Sequence, residues 1–244
     1  GQTLVLLNTD AFPQADWLEV IRKAIMRYPL CPFASKLIMA NTPQVLDGEG
    51  DNYHVSGIVW RKSHGRSVEN SVMNEREVFS ACGAAAVYPQ QAFDLVGGFD
   101  EDYFAYSEDV DLGFRLRLTG VPCIYLPAAV VYHVGSGSTS RRSNLSVYYG
   151  HRNLVWTYFK DMPGFLLVIL LPAHLVMNLS MILLSSFRRQ GGVTLRAKRD
   201  ACADLRKMLA KRRSIQGLRK ISIFSLMKIM DWNPISPFAK LLLR

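Results

Sequence analysis

The chain has 244 residues, 49% of them apolar, and 29 Lys and Arg stand against 20 Asp and Glu, giving a formal net charge of +9. That length and apolar content allow one substantial core with an appendage. The four cysteines, Cys31, Cys82, Cys123 and Cys202, show neither C-x-x-C spacing nor a paired framework, which argues against disulfides and structural zinc and for a reducing cytoplasm.

In chain order, the first informative element is Leu6-Leu7-Asn8-Thr9-Asp10, an apolar strand that ends in a polar pair with its carboxylate exposed. Asp47-Gly48-Glu49-Gly50-Asp51 and Arg61-Lys62-Ser63-His64-Gly65-Arg66 flank a hairpin, and their turn-rich composition predicts solvated loops, with a face toward an acceptor as the alternative. Cys82-Gly83-Ala84-Ala85-Ala86, between Val78-Phe79 and Val87-Tyr88, reads as a strand of small residues. Backbone at Gly83 suits close approach to a ligand, and plain tight packing explains it equally well.

Gly97-Gly98-Phe99-Asp100-Glu101 then frees the backbone just upstream of Tyr106-Ser107-Glu108-Asp109-Val110-Asp111-Leu112. Ser107 is positioned to cap a helix running to about Leu118, with Gly120 as its left-handed stop. Glu108, Asp109 and Asp111 fall near the positive end of that helix dipole, where ionised carboxylates are favourable. Val110, Phe114 and Leu118 recur at i, i+4 and i+8 and predict a buried stripe, with Asp109 at its edge. His133 closes the apolar run Ala128-Ala129-Val130-Val131-Tyr132; a strand-end histidine suits either a structural hydrogen bond or metal ligation.

Residues 164–187, GFLLVILLPAHLVMNLSMILLSSF, carry no formal charge and are long enough to cross a bilayer. Pro172, His174 and Asn178 leave open a kinked span, a re-entrant segment or an in-plane helix, and the alternative to all three is a buried helix of a soluble protein. Residues 188–244 hold fifteen Lys and Arg against three acids, a basic flank suited to anionic cytoplasmic lipids. Few aromatics interleave with those charges, which disfavours nucleic acid as a partner.

The stretch GGFDEDYFAYSEDVDLGFRLRLTG, with LLNTD about a hundred residues upstream and a later YHVGSGS, resembles the catalytic half of family 2 glycosyltransferases, particularly the bacterial rhamnosyltransferase-like branch. The likeness covers roughly residues 4 to 160. It implies an α/β fold of GT-A type, here a partial domain over 1–150; beyond it, hydropathy and charge predict membrane-associated helices, an apolar segment over 151–190 and a basic helical tail over 191–244. The resemblance further implies a divalent metal, Mg²⁺ or Mn²⁺, on the donor diphosphate. Asp10 matches the third position of the D-x-D element, Asn8 occupies its first position with one fewer charge, and His133 sits where some members have a further metal ligand. Asp109 matches the catalytic base, with Glu108 in support, and Gly83, Gly98 and Asp100 fall in segments expected to bind substrate.

The chemistry agrees with these roles. A departing nucleoside diphosphate needs its developing charge neutralised by a hard cation, and an acceptor hydroxyl needs a carboxylate to take its proton. With no second carboxylate placed as a nucleophile, one inverting displacement is the simplest route. The expected partners are a nucleotide-sugar donor such as dTDP-rhamnose, a surface-glycan or polyprenyl-linked acceptor, and lipids at the cytoplasmic face of the bacterial inner membrane. About ninety residues of nucleotide-binding βα units normally precede LLNTD in such enzymes, which leads to the expectation of a fragment. The alternative is a truncated, catalytically incompetent membrane-associated glycan-binding module.

Overall fold

The computed structural model describes residues 1–135 and 143–243. The Ser136, Gly137 and Ser138 end of the YHVGSGS motif lies outside the described residues. Nine strands are assigned among the described residues: β1 (Thr3–Leu7), β2 (Ala11–Pro13), β3 (Phe33–Met39), β4 (Leu46–Gly48), β5 (Asp51–Tyr53), β6 (Val59–Arg61), β7 (Arg76–Val78), β8 (Ala85–Pro89) and β9 (Cys123–His133). Seven form one mixed sheet in the order β1-β8-β3-β9-β2, with β4 added to β3 and β7 to the start of β9. Only β3 and β9 run parallel. β5 and β6 make the separate hairpin that the turn-rich segments flank.

Helix α1 (Trp17–Arg27) covers one face of the sheet. Its buried residues, Trp17, Ile21 and Ala24, follow helical spacing and pack on Phe33, Leu37, Leu126 and Val131. The other face takes α2 (Gln90–Leu95) and α3 (Glu108–Leu118), where Leu112 and Leu116 meet Ala34, Ala86, Tyr88 and Tyr125. The expected stripe Val110, Phe114 and Leu118 enters a third core with Tyr53 and Phe79. Because α3 is buried on both sides, it must come very close to the segment before β8. A Cβ on Gly113 would lie 2.4 Å from the Ser80 side chain, so only glycine fits there.

The later chain is helical: α4 (Asn144–Asp161), α5 (Gly164–Ile169), α6 (Leu171–Phe187), α7 (Gly191–Ala203), α8 (Leu205–Gly217), α9 (Ile223–Ile229) and α10 (Ser236–Leu243). These helices share cores with the sheet part. Tyr158, Met162, Leu166, Met177, Met181 and Leu226 join the cluster containing Tyr53, Trp60 and Phe114.

The apolar run of residues 164–187 does not form one long helix. It breaks at Leu170, where α5 ends and Pro172 opens the first turn of α6, as expected of a residue that lacks an N–H and has a fixed φ. Among the described residues no helix is long and apolar enough to cross a membrane. His174 explains part of this: it is buried, hydrogen-bonded through Nδ1 to the Ser56 carbonyl at 2.8 Å, and stacked on Tyr158 at 3.8 Å. One side of α6 therefore faces the protein, while Leu175, Leu179, Leu183 and Phe187 remain exposed on it.

Part of the basic tail also serves the fold. Lys207 bonds Asp102, Lys211 bonds Asp100 and Asp102, and Arg212 caps the carbonyls of Phe159 and Met162 at the end of α4.

Candidate active site

Strand pairing brings the first two motifs together. Ala11 is in register with His133 across β2 and β9, and the Val134 N–H donates to the Asp10 carbonyl at 3.0 Å. The Asn8 carbonyl accepts from the Ala11 N–H, so residues 8–11 form a tight turn that presents Asn8 and Asp10 at the strand end. His133 Nε2 lies 3.4 Å from Asp10 Oδ1 and 3.4 Å from Asn8 Nδ2. Asn8 is exposed, Asp10 is partly buried and His133 is buried.

What orients His133 is Asp47, whose Oδ2 is 2.7 Å from Nδ1. Asp47 also pairs with Arg61 and with His64. A carboxylate on Nδ1 places the proton there and leaves Nε2 as an acceptor, the arrangement typical of a metal-binding imidazole. An acceptor nitrogen facing a carboxylate oxygen at 3.4 Å is a pair that a cation between them would satisfy. Among the described residues no three His, Cys, Asp or Glu side chains cluster to hold a metal by themselves. Asp10 and His133 could supply at most two ligands, as suits a cation that takes its other positions from substrate phosphates and water.

The segment 82–84 links this strand end to α3. The Asn8 N–H donates to the Ala84 carbonyl, while the Gly83 N–H donates to Asp109 Oδ2 at 2.7 Å. Residues 82–84 are a connection leading into β8, which begins only at Ala85, so the expected strand of small residues starts three positions late. A Cβ on Gly83 would sit at 3.4 Å from Asp109 Oδ2, so the glycine leaves the carboxylate uncrowded.

The three acids opening α3 have different partners. Asp111 is fully buried in ion pairs with Arg115 at 2.7 Å and with Lys160. Glu108 Oε2 is buried without a hydrogen-bond partner among the described residues; burial, and then the Asp109 charge, push the carboxyl up to about 7. Burial also raises Asp109, against the hydrogen bonds from Gly83 and Val110 that favour its charged form. A base poised above the ordinary carboxylate range is better matched to taking a proton near neutrality.

Ser107 occupies the position before α3 as expected but makes no side-chain cap; it sits in the left-handed region at φ +66°. Gly120 has the positive φ of +89° expected of the stop. Gly98, at φ +69°, lies against the Phe93 ring, where a Cβ would approach to 2.7 Å. The Asp100 carboxylate is taken by Lys160 at 2.7 Å and by Lys211. Burial works against its charge, but those lysines hold it down to about 2. The structure thus places Asp100 in the junction between the sheet part and the helical tail, and its observed contacts do not join it to Asn8, Asp10 or His133.

The region 47–51, expected to be a solvated loop, is buried throughout. Glu49 accepts from Ser63, Ser71, Arg76 and the Val72 N–H. Asp51, hydrogen-bonded by Ser80 at 3.2 Å, is pushed up to about 8 by burial and then by Asp109. The sign follows directly: folding binds a proton on Asp51 between its ordinary value of 3.8 and about 8, so this stabilisation is complete below 3.8 and is lost as pH rises through 8. Asp51→Asn preserves the neutral shape and should flatten a slope of up to about 1.4 kcal/mol per pH unit over that window. Urea melts at several pH values check this; an unchanged slope would assign the proton elsewhere.

Residues 4–189 match the profile of Glycosyl transferase family group 2. The chain belongs to that family. It is similar to an N-acetylglucosaminyl-diphospho-decaprenol L-rhamnosyltransferase of Mycobacterium tuberculosis, 47% identical over 68 residues, which are 28% of this chain and 22% of that protein. It is also similar to the rhamnosyltransferase WbbL of Escherichia coli K12, 37% identical over 65 residues, 27% of this chain and 25% of the relative. The matched segments thus span about a quarter of the length of these curated relatives. Among solved structures, GalNAc-T7 with UDP, GalNAc and Mn²⁺ superposes with a TM-score of 0.50 over 66% of this chain and 32% of that one, at 14% identity. That likeness concerns the fold, which is mixed α/β and GT-A-like.

Proposed function

We propose that this family group 2 chain is the metal, acceptor and base side of a glycosyltransferase acting on a nucleotide-sugar donor. The observation carrying this reading is the convergence of Asp10 and His133 at one strand end with Asp109, through the segment 82–84 that bonds both motifs. Asp10 and His133 would hold Mg²⁺ or Mn²⁺, with Asn8 beside them. When bound, the cation neutralises charge developing on the donor diphosphate.

Asp109 takes the proton of the acceptor hydroxyl as its oxygen forms a bond to the anomeric carbon. The bond from that carbon to phosphate breaks on the opposite side, and its electron pair leaves with the nucleoside diphosphate. The anomeric configuration inverts. Glu108, protonated in part near neutrality, limits the negative charge beside Asp109. The outer edge of β1 pairs with no strand among the described residues and exposes Val5 and Leu7; this reading assigns it to further nucleotide-binding βα units.

The names of both relatives favour rhamnose as the sugar, which we take from dTDP-rhamnose, and the name of the mycobacterial one alone favours a polyprenyl-diphosphate-linked N-acetylglucosamine as the acceptor. Mass spectrometry of products formed from these two compounds with Mn²⁺ tests the reading. Absence of transfer from dTDP-rhamnose, with transfer from another sugar nucleotide, would keep the reaction and replace the donor.

The same reading places the protein on the cytoplasmic face of the inner membrane through an in-plane α6. Supporting it is the exposed row Leu175, Leu179 and Leu183 with Phe187, followed at once by Arg188 and Arg189. Replacing Leu179 and Leu183 by Ser should lower partition onto anionic phospholipid vesicles by about 100-fold, from about 1.5 kcal/mol for each leucine side chain removed from water. Flotation in high salt measures it. Failure of the unsubstituted protein to float would end the membrane assignment.

A further inference from the structure

The six residues leading into Glu108 and Asp109 hold an unusual backbone. Phe104 has φ +62° and ψ −59°, and the Ala105 N–H donates to the Tyr103 carbonyl at 2.7 Å. That is a γ-turn of the rare, strained hand. Tyr106 and Ser107 follow at φ +66° each, both in the left-handed region that side chains other than glycine seldom adopt. Three such residues in four persist only when surrounding contacts fix them.

The contacts come from α4. Asn153 is fully buried, and its amide Nδ2 faces three carbonyls of this turn, Tyr103 at 3.1 Å, Ala105 at 2.9 Å and Tyr106 at 2.7 Å. Its Oδ1 accepts from Arg152 Nε at 3.0 Å. The same Arg152 donates to the Asp102 and Tyr103 carbonyls at 3.0 and 3.1 Å, while its guanidinium lies 3.9 Å over the Trp156 ring. Tyr103 is further tied to Thr157 by a hydroxyl pair at 2.9 Å. Asn153 and Arg152 of α4 thus bond the carbonyls of Asp102, Tyr103, Ala105 and Tyr106.

We propose that Asn153, braced by Arg152, is the positioning residue of the active site: it holds the strained turn over residues 103–107 and thereby aims Glu108 and Asp109 at the Gly83 N–H and the acceptor. This rests on the reading of Asp109 as the base. The turn leads directly into α3, whose first internal bond runs from the Asp111 N–H to the Ser107 carbonyl. Release of the turn therefore tilts the first turn of α3, and a displacement of about 1 Å at a reacting group costs on the order of 100-fold in rate.

The test uses strain relief. Asn153→Ala should lower kcat for transfer from dTDP-rhamnose to polyprenyl-diphospho-N-acetylglucosamine by about 100-fold, while leaving the affinity for dTDP with Mn²⁺ nearly unchanged. Adding Tyr106→Gly and Ser107→Gly to that variant lets the backbone adopt positive φ without the clamp, and should recover at least about tenfold of the loss. A residue needed only for overall stability would not be rescued by glycines, which loosen the chain. Hydrogen exchange at the Gly83 amide, which Asp109 accepts, reports the geometry without any turnover: protection should fall in Asn153→Ala and return with the glycines. If no donor gives transfer, this arm still decides the inference and the catalytic reading fails separately. Should Asn153→Ala not fold, Arg152→Leu removes two of the carbonyl contacts from a half-buried position and should give the same losses in smaller measure. Unchanged kcat and unchanged Gly83 protection in either variant would overturn the proposal, as would a loss that the glycines leave untouched.

Discussion

Asp109→Asn is expected to reduce glycosyl transfer by about 10²- to 10⁴-fold, the usual contribution of a positioned general base, with nucleotide binding nearly intact. Asparagine keeps one oxygen to accept the Gly83 hydrogen bond and gives up the bond from the Val110 N–H, so the substitution removes the proton acceptor together with one backbone hydrogen bond. A second consequence separates this role from a packing role. The Asp109 charge is the second cause that raises Glu108, so Asp109→Asn should draw Glu108 down from about 7 toward its ordinary 4.5. Carboxyl chemical shifts followed through a pH titration report that shift directly. In the unsubstituted enzyme the transfer rate should rise with pH along a limb above the 3.8 of an ordinary aspartate, because burial raises Asp109. The acids Asp51, Glu108 and Asp109 interact, so the limb belongs to the group and not to one residue. Near-normal turnover of Asp109→Asn would remove it from the role of base.

Asp10→Ala is expected to abolish the metal dependence of nucleoside-diphosphate binding, because a two-ligand site loses its only carboxylate. The loss should reach 10-fold or more in affinity for dTDP with Mn²⁺, with roughly equal binding when the metal is left out; 10- to 100-fold is the usual cost of altering a ligand's support alone. Asp47→Asn probes that support. It keeps the shape while weakening the hold on the His133 Nδ1–H, and should lower metal affinity less than Asp10→Ala does. Calorimetry with and without Mn²⁺ measures all three proteins. Metal-dependent affinity that survives Asp10→Ala would contradict the assignment.

Much of the site was legible because its chemistry sits in short runs. Asn8 and Asp10 follow a strand whose continuous apolar run is plain, and the helix of Glu108 to Leu118 has both its stripe and its glycine stop in sequence. Asp47 was not legible. Its D-G-E-G-D surroundings carry the composition of a solvated turn, and what buries them is pairing with β3 together with Arg61, Arg76 and His133, the last 86 residues away. Spacing offered no signal, because Asp47 to Arg61 and Glu49 to Ser63 are each fourteen residues apart, whereas partners across an antiparallel hairpin change their separation along the strands. Asn153 was invisible for a similar reason: its role lies wholly in contacts to backbone carbonyls, which leave no trace in residue type. Ser107 looked like a cap from its place before an acidic turn, yet the clamp on the preceding carbonyls forces it into a left-handed conformation that carries its hydroxyl away from that bond. The apolar run of residues 164–187 read as long enough to span because hydropathy counts side chains and not partners. His174, Met177 and Met181 turn one side of it into the protein core.

The central claim is that Asp10 and His133 hold a divalent cation on a nucleoside diphosphate within reach of Asp109. Pulsed electron paramagnetic resonance of the protein with Mn²⁺ and dTDP tests it most directly. The account predicts phosphorus couplings from the diphosphate and one nitrogen coupling from an imidazole, the latter lost in His133→Gln while the former persist. Manganese bound with neither coupling, or a nitrogen coupling that survives His133→Gln, would contradict it.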